Sequence, residues 1–267
     1  MSQLPLRVLS FLAPNQLPTQ RFVIERLGQR LGLKTEFHAG SHYEEAYEAD
    51  LSFICGLPYV LRTRPRRVPS PIEAIAAPVL QGDRYQGKPI YFSDVIVHCD
   101  SLFQSFGDLR GCTWVYNEPE SQSGYGITRY SLVKLGETQG YFKKVRSGDY
   151  HQEAIRMVAE RKADAAAIDS HVLALELRAY PDLAAALRVI DTLGPSTIQP
   201  IAVNKTMPDK LKSDIRVGLT EMHTDPVVKA RLTEGLIERY VSVTDSVYND
   251  IRDMLAACEA VDFMELK

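Results

Sequence analysis

The stretch Thr113-Trp114-Val115-Tyr116-Asn117-Glu118-Pro119-Glu120-Ser121-Gln122-Ser123-Gly124-Tyr125 carries the transition that decides the fold. Its first four residues are β-branched or aromatic and predict a strand that ends near Asn117. Pro119 turns the chain, and small hydroxyl residues then precede a helix expected over 124–135. Ser121 or Ser123 is a natural N-cap for that helix. The unpaired amides of a first helical turn, together with the helix dipole, make a ready anion site. Gly124 would let the backbone come close to a ligand. From these residues alone two readings stay open: an anion site, or a capped helix start with no ligand.

Outward from this segment, strand-like and helix-like patterns alternate, which argues for an α/β protein. Residues 6–12 read as a first strand, and 15–31 as a helix with Thr19 as its N-cap. Val23, Ile24, Leu27 and Leu31 recur at helical spacing, and Gly32 ends the pattern. Strands are predicted at 34–38 and 51–55, the second broken sharply by Gly56-Leu57-Pro58-Tyr59. Residues 62–71, with four arginines and three prolines, read as a solvated connector rather than a partner surface. Further strands are expected at 90–97, 113–116, 165–168, 189–190 and 201–203, and tail helices at 208–222 and 245–260.

A second segment follows similar logic. Gly148-Asp149-Tyr150-His151-Gln152 opens a helix, with Asp149 and Gln152 spaced as a capping box. His151 shares a face with Ala154, Ile155 and Val158, so it reads either as a packed structural residue or as a ligand donor. The run 163–168 leads into Asp169 at the C-terminal end of a strand, where open α/β sheets hold ligands. Ser121–Tyr125, His151 and Asp169 are thus expected at one edge of one lobe.

Bulk properties exclude several classes. The 267 residues carry a net charge of −3, with no electrostatic footprint for nucleic acid or an anionic membrane. No apolar run approaches the ~20 residues that span a bilayer. There is no GxSxG, HExxH, P-loop or GxGxxG, hence no catalytic set and no cofactor motif. His38, His42, Glu44 and Glu45 lie close in sequence but read as a polar loop and short helix rather than a metal site. Cys55, Cys99, Cys112 and Cys258 form no CxxC pair and are expected as buried free thiols, which leans towards a reducing compartment. A strand so near Met1 places the chain in the cytoplasm if that start is native, or in the periplasm if a leader was removed.

One family gathers these motifs in order. Gly56-Leu57-Pro58-Tyr59, Tyr91-Phe92-Ser93, Asp108-Leu109-Arg110-Gly111, Ser121-Gln122-Ser123-Gly124-Tyr125, His151-Gln152-Glu153-Ala154 and Ala163-Asp164-Ala165-Ala166-Ala167-Ile168-Asp169 together resemble the phosphate, phosphite and phosphonate ABC-transporter substrate-binding proteins. The resemblance runs over nearly the whole chain. It implies a two-lobed type 2 periplasmic-binding-protein fold with a ligand cleft between α/β lobes. Lobe 1 would comprise 1–93 and 198–267, lobe 2 would comprise 94–197, and the crossings would fall near 91–95 and 195–200.

Position by position, the resemblance implies that Ser121, Ser123 and the amides of Gly124 and Tyr125 hold the anion's oxygens. Gln122 stands in the same ligand segment where relatives usually carry Thr, and Gly126-Ile127-Thr128 stands where they often carry a proline. These departures leave room for a larger or differently charged ligand. Tyr59 and Tyr91 would reach the ligand from the first lobe and the hinge. His151 would donate a hydrogen bond, and Asp169 would accept from a protonated oxygen or a ligand ammonium. The function implied is binding of a small oxyanion for an ABC importer, with a permease as partner and neither nucleic-acid binding nor membrane insertion. Two alternatives stand beside it: a cytoplasmic sensor or solitary binding protein, and an enzyme that reuses the fold as in thiamine-precursor synthesis, the latter from fold analogy alone.

Overall fold

The computed structural model describes residues 4–65 and 69–267. Along the chain run β1 (Leu6–Ser10), α1 (Leu17–Leu31), β2 (Thr35–Ala39), β3 (Leu51–Phe53), α2 (Gly56–Thr63) and β4 (Ile72–Leu80). There follow β5 (Ile90–His98), β6 (Thr113–Tyr116), α3 (Ile127–Lys134), β7 (Lys144–Ser147), α4 (His151–Ala159) and β8 (Ala165–Asp169). The remainder is α5 (Ser170–Ala179), α6 (Pro181–Ala186), β9 (Leu187–Thr197), β10 (Ile201–Asn204), α7 (Asp209–Glu221), α8 (Pro226–Glu234), β11 (Ile237–Ser242) and α9 (Asn249–Ala260).

The chain forms two compact units. Unit 1 takes the chain up to Ile90 and Thr197–Asn249; unit 2 takes Tyr91–Ser196 and Asp250–Lys267. Unit 1 holds a six-stranded sheet in the order β11-β4-β10-β3-β1-β2. Strand β1 pairs in parallel with β2 and β3, whereas β10 runs antiparallel to β3 and β4. Val23, Ile24 and Leu27 of α1 are buried, and Gly32 closes that helix with φ of 66°. Only a residue without a Cβ takes that conformation at little cost. The helix starts two residues before the expected cap: Pro18 lies in its first turn, and Thr19 is buried inside it. Gly56-Leu57-Pro58-Tyr59 ends β3 as expected but winds into α2. Of the arginine-rich connector, Arg62 belongs to that helix, and residues 66–68 lie outside the described part.

Unit 2 is built on a five-stranded sheet in the order β7-β6-β8-β5-β9. Strands β7, β6 and β8 are parallel, and β5 runs antiparallel to β8. The sheet is covered on both faces, and the period of two along its strands sorts the side chains. Val95 and Val97, Trp114, Ala165 and Ala167 face one core with Phe106, Tyr125, Ile127 and Phe142. Their neighbours Ile96, Val115, Ala166 and Ile168 face the other core with Ile155, Val158 and Leu173. Trp114 stacks on Phe142 with ring centroids 4.8 Å apart.

One domain expectation needs correction. Residues 250–267 group with unit 2, not with the unit that contains the N-terminus. The reason is packing: Phe263 and Leu266 are buried in the Trp114 core, and Met254 packs against it. The chain therefore passes between the units at 90/91, at 196/197 and again at 249/250.

Candidate anion site on unit 2

Parallel pairing of β7, β6 and β8 delivers the residues that follow each strand to the same edge of the sheet. After β6, Ser121 takes an extended backbone (φ −70°, ψ 129°) and caps a π-helical turn over Gln122–Gly126 that leads into α3. The Ser121 Oγ accepts from the Gly124 amide at 3.1 Å. The Ser121 carbonyl accepts from the Tyr125 amide at 3.3 Å and the Gly126 amide at 2.8 Å. The wider π turn is set by that last bond.

The Gly124 and Tyr125 amides, expected on the anion, are thus bonded within the turn. By the general rule for helix starts, the Ser123 amide lacks an intrahelical acceptor. Gly124 is required for space rather than for backbone freedom: a Cβ there would meet Asn117 Oδ1 at 2.0 Å. Asn117 is itself buried, and that oxygen has no hydrogen-bond partner. Gly124→Ala should displace Asn117 or the turn and cost about 1–2 kcal/mol. Thermal unfolding would show this as a fall of several degrees, whereas an unchanged midpoint would mean the turn yields freely.

After β7, the chain reaches α4, where Tyr150 is the N-cap and makes no side-chain capping bond. The predicted Asp149–Gln152 capping box is absent. Asp149 sits at φ of 58°, and both Gln152 amide atoms are buried without a partner. His151 is buried at the start of α4, and its Nε2 lies 2.9 Å from Ser123 Oγ. Its Nδ1 is buried with no hydrogen-bond partner. Burial away from any charge drives the imidazole pKa down to about 3, so His151 is neutral over the physiological range. His151 therefore meets the Ser121–Tyr125 segment through Ser123.

After β8, Asp169 caps α5: its Oδ1 accepts from the His171 amide at 2.8 Å and the Val172 amide at 3.3 Å. An aspartate directly before a Leu- and Ala-rich run was a legible capping signal that the sequence reading did not use. Tyr91, fully buried, lies at the start of β5, beside the end of β8, since Ser93 is registered against Asp169. Next to it the Phe92 amide donates to Ser170 Oγ at 3.2 Å.

Tyr59 belongs to unit 1. It is fully buried there, its hydroxyl donating to Asp245 Oδ1 at 2.8 Å and accepting from the Ala74 amide at 3.1 Å. Gln122 is buried too, with its side-chain amide nitrogen 3.2 Å from Ser196 Oγ and 3.3 Å from Met254 Sδ. Neither Ser196 nor Met254 was singled out in the sequence, because both reach the turn from distant parts of the chain.

The polar loop at 38–45 is held by a bond within it and by one ion pair to α2. Glu45 accepts from the His42 amide at 2.8 Å, and Glu44 pairs with Arg62 at 2.7 Å. Among the described residues, the His, Cys and carboxylate atoms that cluster at metal-binding range belong instead to the exposed turn His98-Cys99-Asp100. Cys55, Cys112 and Cys258 are buried as expected, but Cys99 is exposed. Burial pushes the Cys112 thiol up to about 12, with the nearby Asp164 carboxylate adding to the effect, so it stays protonated and packs as an apolar group. No helix among the described residues is long and apolar enough to cross a membrane.

Two α/β units joined by crossing segments, with a capped helix start at the strand ends of the second, define a type 2 periplasmic-binding-protein fold. Residues 8–248 match the family described as ABC transporter, phosphonate, periplasmic substrate-binding protein, and the chain belongs to that family. Solved structures agree on the fold. A binding-protein component of an ABC phosphonate transporter from Pseudomonas aeruginosa superposes with a TM-score of 0.80 at 17% identity, covering 97% of this chain and 88% of that one. PhnD1 from Prochlorococcus marinus, in complex with methylphosphonate, gives 0.78 at 16% identity over 96% and 98% of the two chains. XAC2383 from Xanthomonas citri, bound to ATP, gives 0.64 at 17% identity over 97% and 98%.

Proposed function

We propose that unit 2 binds a small oxyanion of the phosphate, phosphite or phosphonate class at the Ser121–Ser123 turn, as the non-catalytic solute-binding component of an ABC importer. The observation that carries this reading is the buried, neutral His151 held against Ser123 at a capped helix start. A hydroxyl has one proton. If Ser123 gives it to an anion's oxygen, the Oγ lone pairs accept from His151, which then carries its proton on Nε2. The relay runs from imidazole to hydroxyl to anion, and each bond polarises the next in a dry setting. The helix dipole and the Ser123 amide add fixed positive potential at the same point. In this reading these groups bind and orient the anion. Family membership supports delivery to a membrane permease, and the family's description supports a periplasmic setting.

A ligand that binds only the folded protein raises its melting temperature by mass action. Phosphate, phosphite or methylphosphonate, at concentrations about 100-fold above Kd, should stabilise the protein by ~2.7 kcal/mol. A thermal-shift screen in which none of these oxyanions moves the midpoint would remove the proposal.

A further inference from the structure

The buried side chain of Gln122 bonds within unit 2. Its side-chain nitrogen reaches Ser196 at the end of β9 and Met254 in α9, so one amide ties the anion-binding turn to two remote segments. The same stretch is fastened to the C-terminal tail twice more. The Leu266 amide donates to the Tyr125 hydroxyl at 3.0 Å. Arg129, buried on α3, donates to the Met264 carbonyl at 2.9 Å and to the Phe263 carbonyl at 3.4 Å. Phe263 and Leu266 fill the core beneath. Gln122, Tyr125 and Arg129 are thus each anchored to residues 254–266.

We propose that Gln122 is a positioning residue for the oxyanion site and that residues 250–267 are the buttress it acts on. The tail fixes the π-helical turn, so that Ser121 and Ser123 hold their places before an anion arrives. The Gln122 amide braces the turn from behind, through Ser196 and Met254. The inference rests on the proposed binding at the Ser121–Ser123 turn, and it assigns affinity to pre-organisation rather than to a contact.

The test uses methylphosphonate as probe and titration calorimetry on the full chain. Gln122→Leu keeps the bulk and loses the donor; it should weaken Kd about fivefold to tenfold. Ser196→Ala, a milder change that serves if Gln122→Leu folds poorly, should weaken it about threefold. Together they should be less than additive, because both remove the Gln122–Ser196 bond. A structural role elsewhere would leave the His151–Ser123 contact alone, so the imidazole nitrogen resonances of His151, read by NMR, should shift in Gln122→Leu. Wild-type affinity in both variants, or full additivity with unmoved His151 resonances, overturns the inference while Ser123→Ala still weakens binding. If Ser123→Ala binds as the wild type does, or the wild type does not bind the probe, the proposed site falls and this inference with it.

Discussion

Replacing Ser123 with alanine is expected to weaken binding of phosphate or methylphosphonate by roughly tenfold to a hundredfold. A hydrogen bond from a neutral donor to a charged acceptor contributes about 1.5–3 kcal/mol, and each 1.4 kcal/mol is tenfold in Kd. The loss reaches further than one bond. Ser123 Oγ is the hydrogen-bond partner of His151 Nε2, and His151 Nδ1 already has none. Without the hydroxyl, the imidazole is left buried with both nitrogens unsatisfied, which should also cost the unliganded protein about 1–3 kcal/mol. Titration calorimetry and unfolding on the same variant separate the two effects. An affinity within twofold of wild type would move Ser123 back to a plain helix-start residue.

Acid should expose His151 by itself. Its folded pKa is about 3, against 6.5 for the free side chain, and burial is the cause. A depressed pKa means that the unfolded chain takes up a proton that the folded one refuses. The contribution of the neutral imidazole is therefore fully present above about pH 6.5 and is lost as pH falls towards 3. The slope approaches ~1.4 kcal/mol per pH unit, for a total on the order of 5 kcal/mol. Urea unfolding of the wild type and of His151→Leu at pH 7.5, 6, 5 and 4 measures it. The variant should show a flatter loss of stability below pH 6.5, and parallel curves would show that His151 does not titrate on unfolding. Oxyanion affinity, in turn, should show no step near pH 6.5 from this histidine, since it stays neutral in the folded protein.

The order of strands and helices in unit 2 was legible where periodicity was strong. Thr113–Tyr116 and the run into Asp169 combine β-branched or small apolar residues with a turn signal, and both form strands as read. Strand β4 was not found, because Ile-Glu-Ala-Ile-Ala-Ala-Pro-Val-Leu is rich in Ala and holds Pro78, residues of low strand propensity. It pairs with β10 and β11, residues more than a hundred positions away, and that pairing overrides local preference. The capping box at Asp149 failed for a related reason. Asp149 is turned to positive φ, where its carboxylate approaches Ser147 rather than the helix start.

The opening segment shows the division most clearly. Its residues by themselves determined a strand, a turn and a capped helix start, because propensity, proline and a serine N-cap are local properties. Local sequence also determined that Ser121, Ser123 and Gly124 stand together at that start. Only the tertiary structure decided the rest. Burial made His151 neutral and aimed it at Ser123, 28 positions earlier in the chain. Asp169 became a cap because α5 begins directly after β8. Gln122 found its partners at Ser196 and Met254 because the tail packs on unit 2. Each of these depends on which distant atoms exclude water from a polar group, and that is settled by packing rather than by neighbours in sequence.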